Sequence, residues 1–250
     1  MILTGKRLHL PQNHSKIEPM FTDIALSVPL FWGGIILLTG WLLYRALPTE
    51  TLKHHFAFIA CIWCVLQTII GLSGWYLDTT GLPPRFTAIV VPPVLFILYL
   101  LNNKKAASWI QNIDLKRLTY LHMVRIPVEI ALLQLYHLKK IPQMMTFEGH
   151  NFDILSGITA LLVGFFAFNG QMQSKRILII WNILGLCLLG IIVGTAALSL
   201  PTPFQQLAFD QPNVAVLRFP FLLLPGFIVP IVLFAHLAAL KQLIFKKEWN

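Results

Sequence analysis

The run 177–198, ILIIWNILGLCLLGIIVGTAAL, contains no charged side chain and is bounded on one side by Lys175 and Arg176. A hydrocarbon layer roughly 30 Å thick is crossed by about 20 helical residues rising about 1.5 Å each, so this run reads as a transmembrane helix. Working outward, six further apolar runs bounded by charge occupy approximately 25–47, 55–77, 86–101, 118–138, 152–170 and 219–240. A closed strand barrel is the other way to span a bilayer, but it needs short segments of alternating polarity, and these runs are continuously apolar. The expected fold is therefore an all-α integral membrane protein, a bundle of seven transmembrane helices with short interfacial helices.

Composition agrees. Of 250 residues 56% are hydrophobic and 12% charged, with a mean hydropathy of +0.71, which excludes an ordinary soluble domain and a disordered chain. Cys61, Cys64 and Cys187 are too few for a disulfide scaffold. The longest loops, 139–151 and 199–218, leave no room for a soluble domain, so residues 1–250 read as one membrane domain. Lys6 and Arg7 precede Leu8, Leu10 and Pro11, which make no apolar signal-peptide core, and no cleaved leader is expected.

With seven crossings, Lys6, Arg7, Lys16, Arg85, Lys139, Lys140 and Arg218 share the N-terminal side. Eleven basic residues, among them Arg45, Lys53, Lys104, Lys105, Lys175, Lys241, Lys246 and Lys247, share the other. The excess places the N-terminus outside and the C-terminus in the cytoplasm, in a bacterial inner or plasma membrane. These flanks and the lipid bilayer account for the net charge of +9, so nucleic acid is not a needed partner. Trp32, Trp41, Trp75, Trp109, Tyr120 and Tyr136 fall where aromatic belts would lie, and 104–114 reads as an interfacial helix.

The fourth run carries charge. His122, Arg125, Glu129 and Tyr136 follow at spacings of three, four and seven, so all four lie on one helical stripe. Arg125 and Glu129 fall about 12 and 18 Å along the helix axis from Arg117, near the middle of a bilayer. A bare charge there costs roughly 2.5–3.5 kcal/mol, so both are expected to face the bundle interior and to pair with each other or with a neighbour. Pro127 between them weakens the backbone ladder. The plain alternative is a structural ion pair that fixes helix packing.

On the outer side, TFEGHNFD at 146–153 offers Glu148, His150, Asn151 and Asp153, although Asn151 and Asp153 also suit a helix cap. The loop TPFQQLAFDQPN at 202–213 reads as a short amphipathic helix with Thr202 as cap and Pro203 in its first turn, a lid carrying Asp210. On the inner side, His54, His55, His122 and His236 share a depth, and facing imidazoles could ligate haem iron or another metal. Cys61 and Cys64 read as packing residues, and Gly190 with Gly194 as a small-residue face for close helix approach or dimerisation. Prolines 92 and 93 are expected to interrupt the third helix, and prolines 220, 225 and 230 the seventh.

Known seven-helix chemistries lack their residues here. No lysine occupies the middle of the last run, as a retinal Schiff base requires, and His236 stands alone where a hydrolase would want His-x-x-x-His. The leading functional expectation is binding or translocation of a small polar solute or ion. Arg125 and Glu129 would form the centre, His122 and Tyr136 the path, and His150, Asp153 and Asp210 the entrance. A metal or haem enzyme, or an electron carrier, would use His122 and His236 or Glu148, His150 and Asp210. A structural subunit or assembly factor would need a membrane-protein partner or a homodimer.

Overall fold

Helices account for all the regular secondary structure among the described residues, and no strand occurs among them. The structure, a computed structural model, describes residues 24–168 and 175–245. Lys6, Arg7, Lys16, Gly170, Lys246 and Lys247, which mark orientation or a helix end in the sequence, lie outside the described residues.

Among the described residues nine α-helices follow one another: α1 (Ser27–Ala46), α2 (Glu50–Leu72), α3 (Thr87–Asn102), α4 (Lys104–Ile110), α5 (Leu115–Leu121), α6 (Arg125–His137), α7 (Ile154–Phe168), α8 (Lys175–Leu198) and α9 (Val229–Phe245). α5 and α6 are joined by the 3₁₀ turn His122–Val124 into one rod, Leu115–His137, and the π turn Leu224–Ile228 lengthens α9 to Leu224–Phe245. Among the described residues five rods are long and apolar enough to cross a membrane: α1, α2, Leu115–His137, α8 and Leu224–Phe245. α3 has 16 residues and bends by 87° into α4, while the described part of α7 has 15, so neither meets that length by itself.

Several boundaries differ from the apolar runs for identifiable reasons. α2 starts at Glu50 rather than near residue 55, because Thr49 caps it by accepting a hydrogen bond from the Leu52 amide at 3.3 Å. Lys53 then pairs with Glu50 one turn away, at 2.7 Å. α9 extends to Phe245, past the expected end near residue 240, since Lys241 is accommodated by donating from Nζ to the Leu101 carbonyl. Its start moves later because Pro220 and Pro225 disturb the preceding turn.

The lid helix expected over 202–213 does not form; that segment is irregular. Thr202 does accept from the Phe204 amide at 3.3 Å, but the Leu207 carbonyl accepts from the Gln205 side chain, and Ala208 has φ of 55°, so helical bonding cannot propagate. The belt reading also fails for Trp32, which is wholly buried and packs edge-on against Phe221 at 5.5 Å.

The centre of the bundle is built from the two most buried rods, Leu115–His137 and Leu224–Phe245, packed with α1, α7 and α8. α2 is peripheral. Its one buried residue is Gln67, whose side-chain oxygen accepts from the Tyr76 hydroxyl at 2.5 Å. Close approach falls at glycines other than those expected. A Cβ on Gly157 would come 2.8 Å from Ile126, and one on Gly164 2.7 Å from the Tyr120 ring, so α7 sits directly on the central rod. Around Gly190 and Gly194 a Cβ would meet only open space, so that pair draws no helix close among the described residues.

Candidate functional site

The polar stripe of the central rod forms where its helix is irregular. Asp114 caps α5 by accepting from the Arg117 amide at 3.0 Å, and about two turns later the helix tightens into the 3₁₀ turn His122–Val124. Pro127 explains the position, since it lacks the N–H that would bond the Met123 carbonyl inside that turn. The disturbance turns His122, Arg125 and Glu129 into the bundle, where all three are at least 98% buried.

Arg125 does not pair with Glu129, its neighbour one turn along. Its Nη1 donates to Asp153 Oδ1 at 2.8 Å, an ion pair that ties the central rod to the start of α7. Both Nη atoms also reach toward the Gly185 carbonyl on α8 at 3.4 Å, and Nη2 lies 3.1 Å from His236 Nε2 on α9. His236 turns its other nitrogen, Nδ1, to Asn182 Oδ1 at 2.9 Å. Because the Arg125 guanidinium carries only donors, His236 accepts at Nε2 and donates from Nδ1, which fixes the tautomer. Asn182 in turn donates to the Leu178 carbonyl of its own helix at 2.8 Å.

The carboxylate of Glu129 is held separately. Asn151 Nδ2 donates to its Oε1 at 2.5 Å and to the Met145 carbonyl at 3.0 Å, while Asn151 Oδ1 accepts from the Asp153 amide at 3.0 Å. Asn151 thus joins the two acids, and one hydrogen-bonded chain runs Asn182, His236, Arg125, Asp153, Asn151, Glu129. His122 lies beside it, its ring stacked on His236 at 3.7 Å between centroids and edge-on to Trp181 at 5.3 Å. Three buried atoms along this chain have no hydrogen-bond partner among the described residues: Glu129 Oε2, Arg125 Nε and His122 Nδ1.

Of the residues singled out from sequence, His122, Arg125, Glu129, Asn151, Asp153 and His236 meet in this network. Tyr136 is only partly buried and stands outside it, its carbonyl accepting from Gln211 at 3.3 Å. Glu148, His150 and Asp210 are exposed. Among the described residues no group of three or more His, Cys, Asp or Glu side chains is placed to hold a metal ion.

Sequence reasoning missed Asn182 and Gly185. An asparagine inside the charge-free run 177–198 was the available signal for the first. Gly185 offers none, because its role exists only once α9 is brought against α8.

No curated protein and no solved structure matches the chain. The model of a family described as a domain of unknown function, DUF8737, matches residues 83–244, a stretch that holds every member of the polar network and leaves α1 and α2 outside, and the chain belongs to that family.

Proposed function

We propose that this chain is a multi-pass integral membrane protein whose seven helical rods cross the bilayer, and that it binds or translocates a proton or another small cation at the Glu129 end of the buried network. One observation carries the reading: two carboxylates are buried beside a single guanidinium, and that guanidinium is committed to Asp153. Glu129 therefore keeps a buried oxygen with no hydrogen-bond partner among the described residues. A carboxylate in such a place is compensated by a proton or a cation, because leaving it bare is expensive. A closed structural ion pair would have left neither the acid nor Arg125 Nε and His122 Nδ1 unpartnered.

In the orientation with the N-terminus outside, Asn151 and Asp153 face the outer half of the bundle and His122 the inner half. The exposed Glu148, His150 and Asp210 would then stand at the outer entrance. A metal or haem at His122 and His236 has less support. Both ring nitrogens of His236 are engaged, and a cationic guanidinium occupies the place at Nε2 that a metal ion would need. The structural-subunit reading is tested by purification in mild detergent, where a stoichiometric second protein would accompany the chain.

The test is Glu129→Gln in proteoliposomes loaded with a pH-sensitive dye and given sodium, potassium or proton gradients. The expected result is flux through the native protein that the variant loses while it stays monodisperse. Native proteoliposomes no leakier than empty ones, together with a variant altered only in melting temperature, would show Glu129 to be structural.

A further inference from the structure

A cavity of about 450 Å³ lies away from the polar network, between the peripheral α2 and the bundle, walled by α1, α3, α4 and α9. That volume is in the range of sites that enclose a small ligand or one hydrocarbon chain. Its lining is apolar almost throughout, with Phe56, Trp63, Phe96, Ile97, Trp109 and Phe227 among the walls. The wall is braced by an uncommon bond. Pro230 lacks the N–H that would meet the Gly226 carbonyl in a regular helix, and Trp63 Nε1 donates to that carbonyl at 2.7 Å. α2 is thereby bonded to the π turn, while Phe56, Ala60 and Trp63 on its inner face line the cavity.

The end of the cavity bounded by Leu47, Leu52, His55 and Leu100 coincides with the turn between α1 and α2 and with the bend from α3 into α4. This end is strongly basic. Arg45, Lys53 and His54 flank the first turn, and Lys104 and Lys105 open α4, whose Trp109 lines the cavity. The acids there are Glu50 and Asp114, and each is already paired, with Lys53 and Arg117 respectively. Lys104 and Lys105 are exposed and have no acidic partner among the described residues. An apolar slot at hydrocarbon depth that ends in unpaired cations has the polarity of an anionic lipid.

We infer that this cavity holds one acyl chain of an anionic phospholipid, whose phosphate sits against Lys104 and Lys105. The inference rests on the membrane placement proposed above and not on any role for Glu129. In the orientation given, the basic end faces the cytoplasmic leaflet, where such lipids are concentrated.

The experiment is native mass spectrometry of the detergent-purified chain, supplied with equimolar dioleoyl phosphatidylglycerol and dioleoyl phosphatidylcholine. The native protein should retain one phosphatidylglycerol, preferred by roughly tenfold or more if two lysines act on the phosphate. Ala60→Phe fills the cavity from α2 and should lose the retained lipid. Lys104→Glu with Lys105→Glu should keep a lipid but lose the preference. A native protein that retains no lipid, or both lipids equally, overturns the proposal whatever the variants do. Retention of a second copy of the chain instead would assign the face to a dimer. Failure of the membrane reading itself would appear earlier, as chain released from the membrane fraction without detergent.

Discussion

The imidazole of His236 occupies the space that a side chain at position 185 would need: a Cβ on Gly185 would stand 2.4 Å from its Cε1 and 2.6 Å from its Nε2. The obstructing atoms belong to a ring that is also stacked on His122 and bonded to Asn182 and Arg125. It cannot swing aside as the end of a flexible chain would. Gly185→Ala should therefore cost about 1–3 kcal/mol as an overpacking substitution and should displace His236 from Arg125. A melting curve in detergent checks the cost. Gly190→Ala, where a Cβ meets open space, is the control and should leave the melt nearly unchanged.

Arg125 and Asp153 form an ion pair with both partners buried, so removing one of them should hurt more than removing both. Asp153→Leu leaves a guanidinium in the core without its carboxylate and should destabilise by about 3–5 kcal/mol. Adding Arg125→Met removes the stranded charge and should recover much of that loss. A double-mutant cycle on melting in detergent measures the coupling. Additive losses would mean that the pair is not the unit its geometry describes.

This arrangement was only partly legible in the sequence. Spacing placed His122, Arg125 and Glu129 on one stripe, because helical periodicity is a property of the local chain. It could not choose between Glu129 and Asp153 as the partner of Arg125, since that depends on where α7 begins after the irregular segment 138–153. The histidine pair was visible as a shared depth, but face-to-face stacking requires the close approach that Gly185 permits. Within the described residues each of the seven apolar runs holds a helix, with several ends shifted by caps and prolines acting locally. The false lid over 202–213 shows the converse: a good cap at Thr202 loses when side-chain and backbone bonds to Leu198, Leu207 and Ala208 offer the chain another arrangement.

Trp63 is the point where the peripheral α2 is tied by a hydrogen bond to the rod 224–245. Trp63→Phe keeps most of the ring but removes the donor to the Gly226 carbonyl, which should cost about 0.5–1.5 kcal/mol. Because α2 buries only Gln67, the loss should appear as increased amide exchange in α2 and the π turn rather than as global unfolding. Exchange that rises equally in α8 would contradict this.

The loop between α2 and α3 supplies a prediction in pH. The Asp78 carboxyl is held below its ordinary range, first by hydrogen bonds from the Thr80 hydroxyl and amide, at 2.8 and 3.2 Å, and then by Arg85, whose Nη2 lies 2.5 Å from Oδ2. Arg85 also donates to the Trp75 carbonyl at 3.2 Å and lies over the Trp75 ring at 5.2 Å, so the carboxylate orders a small clasp at the loop. A carboxyl whose folded pKa is lowered contributes stability above its unfolded value, near pH 3.9, and loses it as pH falls through the folded value. The clasp should therefore hold at neutral pH and open on acidification below about pH 4. The pair is solvent-exposed, so the effect should be local, weak and reduced by salt. Amide exchange over residues 74–86 should rise in acid more than the trend of neighbouring loops, and Asp78→Asn should abolish that excess while raising exchange at pH 7. An acid response that survives in the variant would place its origin in another group.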